Sequence, residues 1–129
     1  MNIANVLHRH APGALAIRGA QGERTYGQLR GEVSATAATL RASGVGVGDV
    51  VAIAMPNSIA HIATYYGAIT IGSVIASIDP HSTDKEIETR IELVRPRVIV
   101  VADELADRTV TIARRLADAP LVLASSDFT

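Results

Sequence analysis

The sequence contains no cysteine among its 129 residues, which excludes disulfide bonds and any mechanism that needs a thiolate. The N-terminal stretch 1–10 lacks an apolar core long enough for a signal peptide, so we expect a cytoplasmic protein. Neither sign of charge dominates, because 12 Lys and Arg residues oppose 13 Asp and Glu residues. A net charge of −1 provides no electrostatic footprint for nucleic acid, and we expect none to bind.

Charged side chains are also missing from the stretch Met55–Ile78, where an alternative interpretation is a membrane-spanning helix. Such a helix needs about 20 mainly apolar residues. No Lys/Arg cluster or aromatic belt flanks the stretch. It is also interrupted by proline, glycine and polar residues, namely Pro56, Asn57, His61, Thr64, Thr70, Gly72 and Ser73. We therefore favour the buried core of a globular domain over a membrane span.

Sequence patterns for catalysis or metal binding are absent. The serines occur without a G-x-S-x-G elbow, and the four histidines have no Asp or Glu partners at metal-ligand spacing. Asp79 follows a predicted strand, where α/β proteins place ligand-facing groups, but the better interpretation is an acidic turn residue before Pro80. The sequence therefore assigns no catalytic, cofactor-binding or metal-binding residue.

Gly44–Gly48 contains the pattern G-x-G-x-G, which is found in phosphate-binding loops. Such a loop follows a strand and begins a helix. Here the order is reversed, because a predicted helix precedes the glycines and a predicted strand follows them. We interpret the segment as a helix-to-strand turn.

The stretch Gly48–Pro80 predicts a β-α-β unit around which the rest of the chain is organised. Val50–Ala54 is short, apolar and partly β-branched, as expected for a strand buried on both faces. Asn57 or Ser58 can cap the next helix, in which apolar residues occur on every side. We expect this helix to be covered all round, and a second buried strand to follow at 74–78. Ile53 and Ile69 are then both predicted core residues.

The remaining elements follow from periodicity and capping signals. Thr25 with Gln28 and Thr83 with Glu86 match capping boxes, each preceding a helix with apolar residues at three- and four-residue steps. The predicted elements are a short helix at 2–9, hairpin strands at 14–18 and 24–26, helices at 26–43, 84–95 and 105–116, and strands at 98–101 and 121–124. The sequence thus predicts one α/β domain. Its sheet is mainly parallel with helices on its faces, with β-α-β units from residue 49 and a small β-hairpin before them.

Several of these segments, in this order and spacing, resemble the N-terminal region of the adenylate-forming (AMP-binding) enzymes, which include acyl-CoA synthetases, 4-coumarate-CoA-ligase-like enzymes and adenylation domains of peptide synthetases. The matching pieces are T-Y-x-x-L at 25–29, G-V-x-x-G-D-x-V-A-I-x-x-P-N-S at 44–58, D-P at 79–80 and P-R-V-I-V-V at 96–101. The resemblance extends from about residue 14 to 124. It leans toward the acyl-CoA and aryl-CoA ligases, because of Pro56-Asn57-Ser58 and the T-D-K-E-I segment at 83–87.

The resemblance implies an enzyme that activates a carboxylic acid with ATP and magnesium, forming an acyl-adenylate, and passes the acyl group to the thiol of CoA or of a carrier protein. The family's phosphate loop, Y-G-x-T-E motif, T-G-D motif, hinge and late lysine do not occur in this sequence. We therefore expect residues 1–129 to be a single partial domain, which binds no cofactor alone and is not catalytic alone. Its expected partner is the missing remainder of the ligase or, if it is a stand-alone interaction module, a second copy or a separate chain.

Overall fold

The computed structural model describes residues 2–128 and contains a small hairpin and a four-stranded sheet. In chain order the elements are β1 (Leu15–Gly19), β2 (Gly22–Thr25), α1 (Tyr26–Ala42), β3 (Val50–Ala54), α2 (Ile59–Thr70), β4 (Val74–Ser77), α3 (Asp84–Val94), β5 (Val98–Val101), α4 (Ala106–Ala113) and β6 (Leu121–Ala124). Short 3-10 helices occur at Ile3–His8, Asp103–Leu105 and Ser125–Phe128. The predicted first helix is therefore a 3-10 helix, capped by the Asn2 side chain.

The larger sheet is parallel and has the strand order β4-β3-β5-β6, as the sequence predicted for a mainly parallel α/β domain. β1 and β2 pair antiparallel and form the predicted hairpin. Residues that alternate along β3 and β5 face opposite sides of the sheet. Val51, Ile53 and Val100 pack in one buried cluster with α1 and α2, whereas Ala52 and Ile99 pack in another with α3 and α4. The domain thus has three layers, with two helices on each face of the sheet.

Capping determines where the first long helix begins and ends. The Thr25 hydroxyl accepts a hydrogen bond from the Gln28 amide, and the Gln28 side chain accepts one from the Thr25 amide. This reciprocal pair is the predicted capping box. The helix ends at Ala42, and Gly44 follows with φ +93°, a left-handed conformation that glycine adopts without a steric penalty.

The second predicted capping box is only half formed. The Thr83 hydroxyl accepts from the Glu86 amide, so Thr83 is the N-cap of α3. The Glu86 carboxylate, however, accepts from the Thr83 hydroxyl instead of the Thr83 amide. α3 ends at Val94, before Pro96, because proline cannot supply the next amide of the helix.

Two predictions about the β3-α2-β4 unit are wrong. The strand β4 is not buried on both faces but forms one edge of the sheet, and Val74 is 53% exposed. The helix α2 is not covered all round, because its fully buried residues lie on one side. They are Ala63, Thr64, Gly67 and Ala68. Ile69 is half-buried, so it is not the core residue that apolar content alone predicted.

The charge-free stretch 55–78 folds as part of this domain, with α2 only 12 residues long. None of the helices in residues 2–128 has both the length and the apolar character needed to cross a membrane. Both ends of α2 are set by local signals. The Ser58 hydroxyl accepts from the His61 amide at the start, and Gly72 with φ +77° follows the end.

Candidate functional site

The carboxyl ends of β3 and β5 mark the topological switch point, because the chain leaves β3 toward β4 and leaves β5 toward β6. Open α/β sheets bind ligands at such a point. Asp103 follows β5 there, and its carboxylate accepts from the Ser125 hydroxyl at 3.1 Å and from the Ser126 amide at 3.0 Å. The hydrogen bond from the Ser126 backbone amide holds the pKa of Asp103 below its ordinary value, because it stabilises the charged carboxylate. Asp103 therefore fastens the segment Ser125–Phe128, here called the C-terminal turn, to the end of β5.

Asp79 behaves as the turn residue that the sequence predicted. Its side chain is exposed, and its Oδ1 accepts from the His81 amide at 2.8 Å. This local hydrogen bond forms an Asx turn, so the Asp79 carboxylate accepts a hydrogen bond from its own loop. The position after β4 thus provides a turn, and among the described residues Asp79 belongs to no group of three potential metal ligands.

Two histidines, His10 and His61, lie in different surroundings. The ring of His10 stacks on Tyr26 with centroids 4.4 Å apart. His61 lies half-buried on α2, and burial lowers its pKa, since desolvation disfavours the charged imidazolium. Within residues 2–128 no three His, Asp or Glu side chains come together as a potential metal site.

Gly44–Gly48 forms the helix-to-strand turn that the sequence predicted. The Gly46 amide donates to the Asp49 carboxylate at 2.8 Å, which closes the turn before β3 begins. An anion-binding loop would point successive amides toward the start of a helix. This turn instead lies at the amino end of β3, where the chain enters the sheet.

A groove between α1 and α2, here called the interhelical groove, is one of the concave surfaces of the described chain. Its volume is about 610 Å³. It lies on the carboxyl side of the sheet, because α2 follows β3 there and the C-terminal turn follows β6. The lining residues come from the hairpin, both helices and the C-terminal turn, namely Gln21, Arg24, Gly27, Gln28, Gly31, Glu32, Ala35, Thr36, Ile59, Ala60, Ala63, Thr64, Ser125 and Phe128.

Small residues create the interhelical groove. Gly27, Gly31 and Ala35 occur at four-residue steps on α1, and Ala60 and Ala63 face them from α2. A β-carbon added to Gly31 would meet no atom within 4 Å, so the space above this part of α1 is open. No catalytic or binding motif in the sequence marks these positions. The signal was present as the spacing G-x-x-x-G-x-x-x-A, but which residues stand opposite it depends on how the helices pack.

The rim of the interhelical groove is polar. Arg24 and Glu32 form an ion pair there, with about one third of each side chain exposed. The Gln21 side chain accepts from the Ile59 amide at 3.2 Å, which joins the hairpin to the first turn of α2. An exposed ion pair of this kind adds little stability, about 0–1 kcal/mol. Its charges balance, so the groove presents an apolar floor with no net charge from this pair.

The comparison with known proteins settles the family. The sequence profile of the family described as AMP-binding enzyme matches residues 5–127. The chain belongs to the AMP-binding enzyme family. The resemblance found at 14–124 is therefore confirmed, and the α/β fold is that of the N-terminal region of AMP-binding enzymes.

Two of the similar proteins are named as CoA ligases. Over 108 residues the chain is 34% identical to 3-hydroxybenzoate–CoA ligase from Aromatoleum sp. strain CIB. The aligned region covers 84% of the chain and 21% of that ligase. The chain is 32% identical over 110 residues to 2-succinylbenzoate–CoA ligase from Geobacillus sp. strain WCH70. This aligned region covers 83% of the chain and 22% of that ligase. The crystal structure of apo MatB from Rhodopseudomonas palustris matches with a TM-score of 0.84 at 25% identity, over 95% of this chain and 25% of that one.

The chain spans about a fifth of the length of these curated AMP-binding relatives. The interhelical groove and the C-terminal turn thus belong to a region that, in the longer relatives, is accompanied by several times as much polypeptide.

Proposed function

We propose that this chain forms the N-terminal part of a ligase that activates a carboxylic acid with ATP as an acyl-adenylate and transfers the acyl group to a thiol. The observation that carries this proposal is the match to AMP-binding enzymes over residues 5–127. The names of the two CoA ligases make coenzyme A a candidate acceptor, whereas other relatives are named phenyloxazoline synthase.

The part that this chain plays is structural. ATP with magnesium needs a phosphate loop and carboxylates or hydroxyls for the metal. In the described residues the only G-x-G-x-G segment begins a strand, and no group of three metal-ligating side chains occurs. The residues present do not fit the nucleotide, so we assign its binding and the chemistry to the remainder of the ligase.

The first prediction concerns ATP–pyrophosphate exchange. The chain alone should give no exchange with a panel of carboxylic acids. When a carboxylate attacks the α-phosphate of ATP and pyrophosphate leaves, the developing charge needs stabilising groups, which we assign to the remainder of the ligase. A chimera of the Aromatoleum ligase, in which this chain replaces the matching segment, should exchange with 3-hydroxybenzoate at about tenfold or more above background.

Two controls accompany this measurement. The parent Aromatoleum ligase sets the full rate, and the same ligase with its matching segment deleted should give none. Exchange by the isolated chain, with contaminating ligases removed, would contradict its structural role. A soluble chimera without exchange would contradict the proposed membership in a working ligase.

A second candidate function is a stand-alone interaction module that pairs with itself or with another chain. The observation in its favour is that the sheet has two open edges. The outer strands β4 and β6 carry the exposed residues Val74 and Leu121, which are 53% and 47% exposed. Unpaired strand edges are templates for pairing with another chain.

The second prediction therefore concerns association. The isolated chain should form dimers or larger species at micromolar concentration in size exclusion coupled to light scattering, because its edge strands lack partners. Val74→Lys with Leu121→Lys should return the chain to a monomer, since charged edge residues oppose strand pairing. Thr89→Lys with Thr111→Lys, two exposed positions on α3 and α4, is the matched control. A cooperatively folding monomer at all concentrations would show that the edges need no partner.

A further inference from the structure

We infer that the interhelical groove is the surface on which the polypeptide following this region in a full-length AMP-binding ligase docks. This inference rests on the proposed function and names the surface of the chain that the remainder covers. The occupant is a segment of that remainder with an apolar side that enters the groove and a polar border that meets its rim.

The position of the C-terminal turn supports this occupant. Ser125 and Phe128 line the groove, and Phe128 packs against the core cluster that contains Leu40 and Ile53. Asp103 accepts hydrogen bonds from Ser125 and Ser126, so the turn is held in place by side-chain chemistry. The described chain therefore ends at the groove, and a longer chain would continue from there. In MatB, the region equivalent to this chain makes up only 25% of the polypeptide.

The shape and chemistry of the groove suit a polypeptide. Gly31 and Ala35 keep the floor low, and the space above Gly31 is open, so another backbone can approach this part of α1 closely. Ile59 and Phe128 provide apolar walls, and a groove of about 610 Å³ has room for several side chains. The rim pair Arg24–Glu32 offers both charges, which suits a polar border and not an anion.

Two other concave surfaces of the described chain are weaker candidates. The concavity between α3 and α4 mixes acidic and basic side chains without a buried polar group, with Glu88, Glu92, Arg95, Arg115 and Asp118 in its lining. The patch around Lys85 and Leu93 lies on the outer face of α3 alone. Only the interhelical groove combines two helices, the hairpin and the end of the described chain.

Thiol labelling tests the inference, because the chain has no cysteine of its own. Ala35 is exposed in the groove, so the thiol of an Ala35→Cys variant should react freely with iodoacetamide in the isolated chain. In the Aromatoleum chimera the same thiol should react at least about tenfold more slowly, as read by mass spectrometry of the peptide that carries it. Equal rates within about twofold would overturn the inference, since the groove would then remain open.

A charge substitution provides a second, matched test. Ala35 and Ala38 are both exposed on α1, but only Ala35 lines the groove. In the chimera, Ala35→Glu should lower exchange or soluble yield by about tenfold or more, because a carboxylate would be buried against the docked segment. Ala38→Glu should change both by less than about twofold, as usual for a surface substitution. Equal effects of the two variants would overturn the inference.

Thermal melts of the two isolated variants separate docking from folding. Both should melt like the unsubstituted chain, because both side chains are exposed there. If Ala35→Glu destabilises the isolated chain and Ala38→Glu does not, the loss in the chimera is assigned to folding. The iodoacetamide labelling rates of the Ala35→Cys variant then decide whether the groove is covered. An unsubstituted chimera that is soluble but shows no exchange contradicts the proposed function, whereas an active chimera that tolerates Ala35→Glu contradicts the docking surface alone.

Discussion

Replacing Ile53 with alanine should lower the free energy of unfolding by about 2–5 kcal/mol, the usual range for truncating a large buried aliphatic side chain. Ile53 lies in β3, pairs in register with Ser77 on one side and Val100 on the other, and is 1% exposed. Its side chain packs under α1 and α2 in the cluster with Leu40. Because the site is closely packed on every side, the neighbouring side chains have little freedom to fill the cavity. The loss in free energy of unfolding should therefore not be reduced much by relaxation of the structure.

Urea denaturation measures this loss, and Ile69→Ala is the matched control. Both changes remove the same atoms, but Ile69 is half-buried on α2. Its truncation should cost about 1 kcal/mol, because less apolar surface leaves water there when the chain folds. Equal losses at the two positions would contradict the description of α2 as a helix with an outward side.

Gly67→Val should be the second most damaging change, with an expected loss of about 3 kcal/mol, the upper end of the usual range for overpacking. Gly67 is buried where α2 crosses α1. A β-carbon there would lie 2.8 Å from the Thr36 Cγ2 and 3.2 Å from the Ala37 amide nitrogen. The side-chain methyl can move, but the backbone of α1 cannot, so the helices would have to separate.

A second helical glycine supplies the control for Gly67. Gly31 lies on α1, where an added β-carbon meets nothing within 4 Å. Gly31→Ala should therefore stabilise the chain by about 0.5–1 kcal/mol, because alanine has the better helix propensity. Thermal melts of the two variants should shift in opposite directions. A Gly67→Val variant that melts like the parent would mean that the two helices pack less closely than described.

Local signals in the sequence determined most of the elements. Val50–Ala54 is a strand with the predicted bounds, and Val98–Val101 likewise, because β-branched apolar runs suit a sheet covered on both faces. Thr25 and Thr83 each begin a helix, and Gly44 follows the end of one. Such signals depend on residues only a few positions apart, so they can be recognised in the sequence without the tertiary structure.

The tertiary structure alone decided which faces are covered and where the candidate site lies. Strand order places β4 at an edge and β3 in the centre, although both are short apolar runs. The same packing leaves one side of α2 partly exposed and brings Gly31 opposite Ala60 across the interhelical groove. Apolar content identifies residues that can be buried, but burial itself depends on the partner that packs against them. For this chain those partners come from segments far apart in sequence, and for the groove we propose that the partner comes from the rest of the ligase.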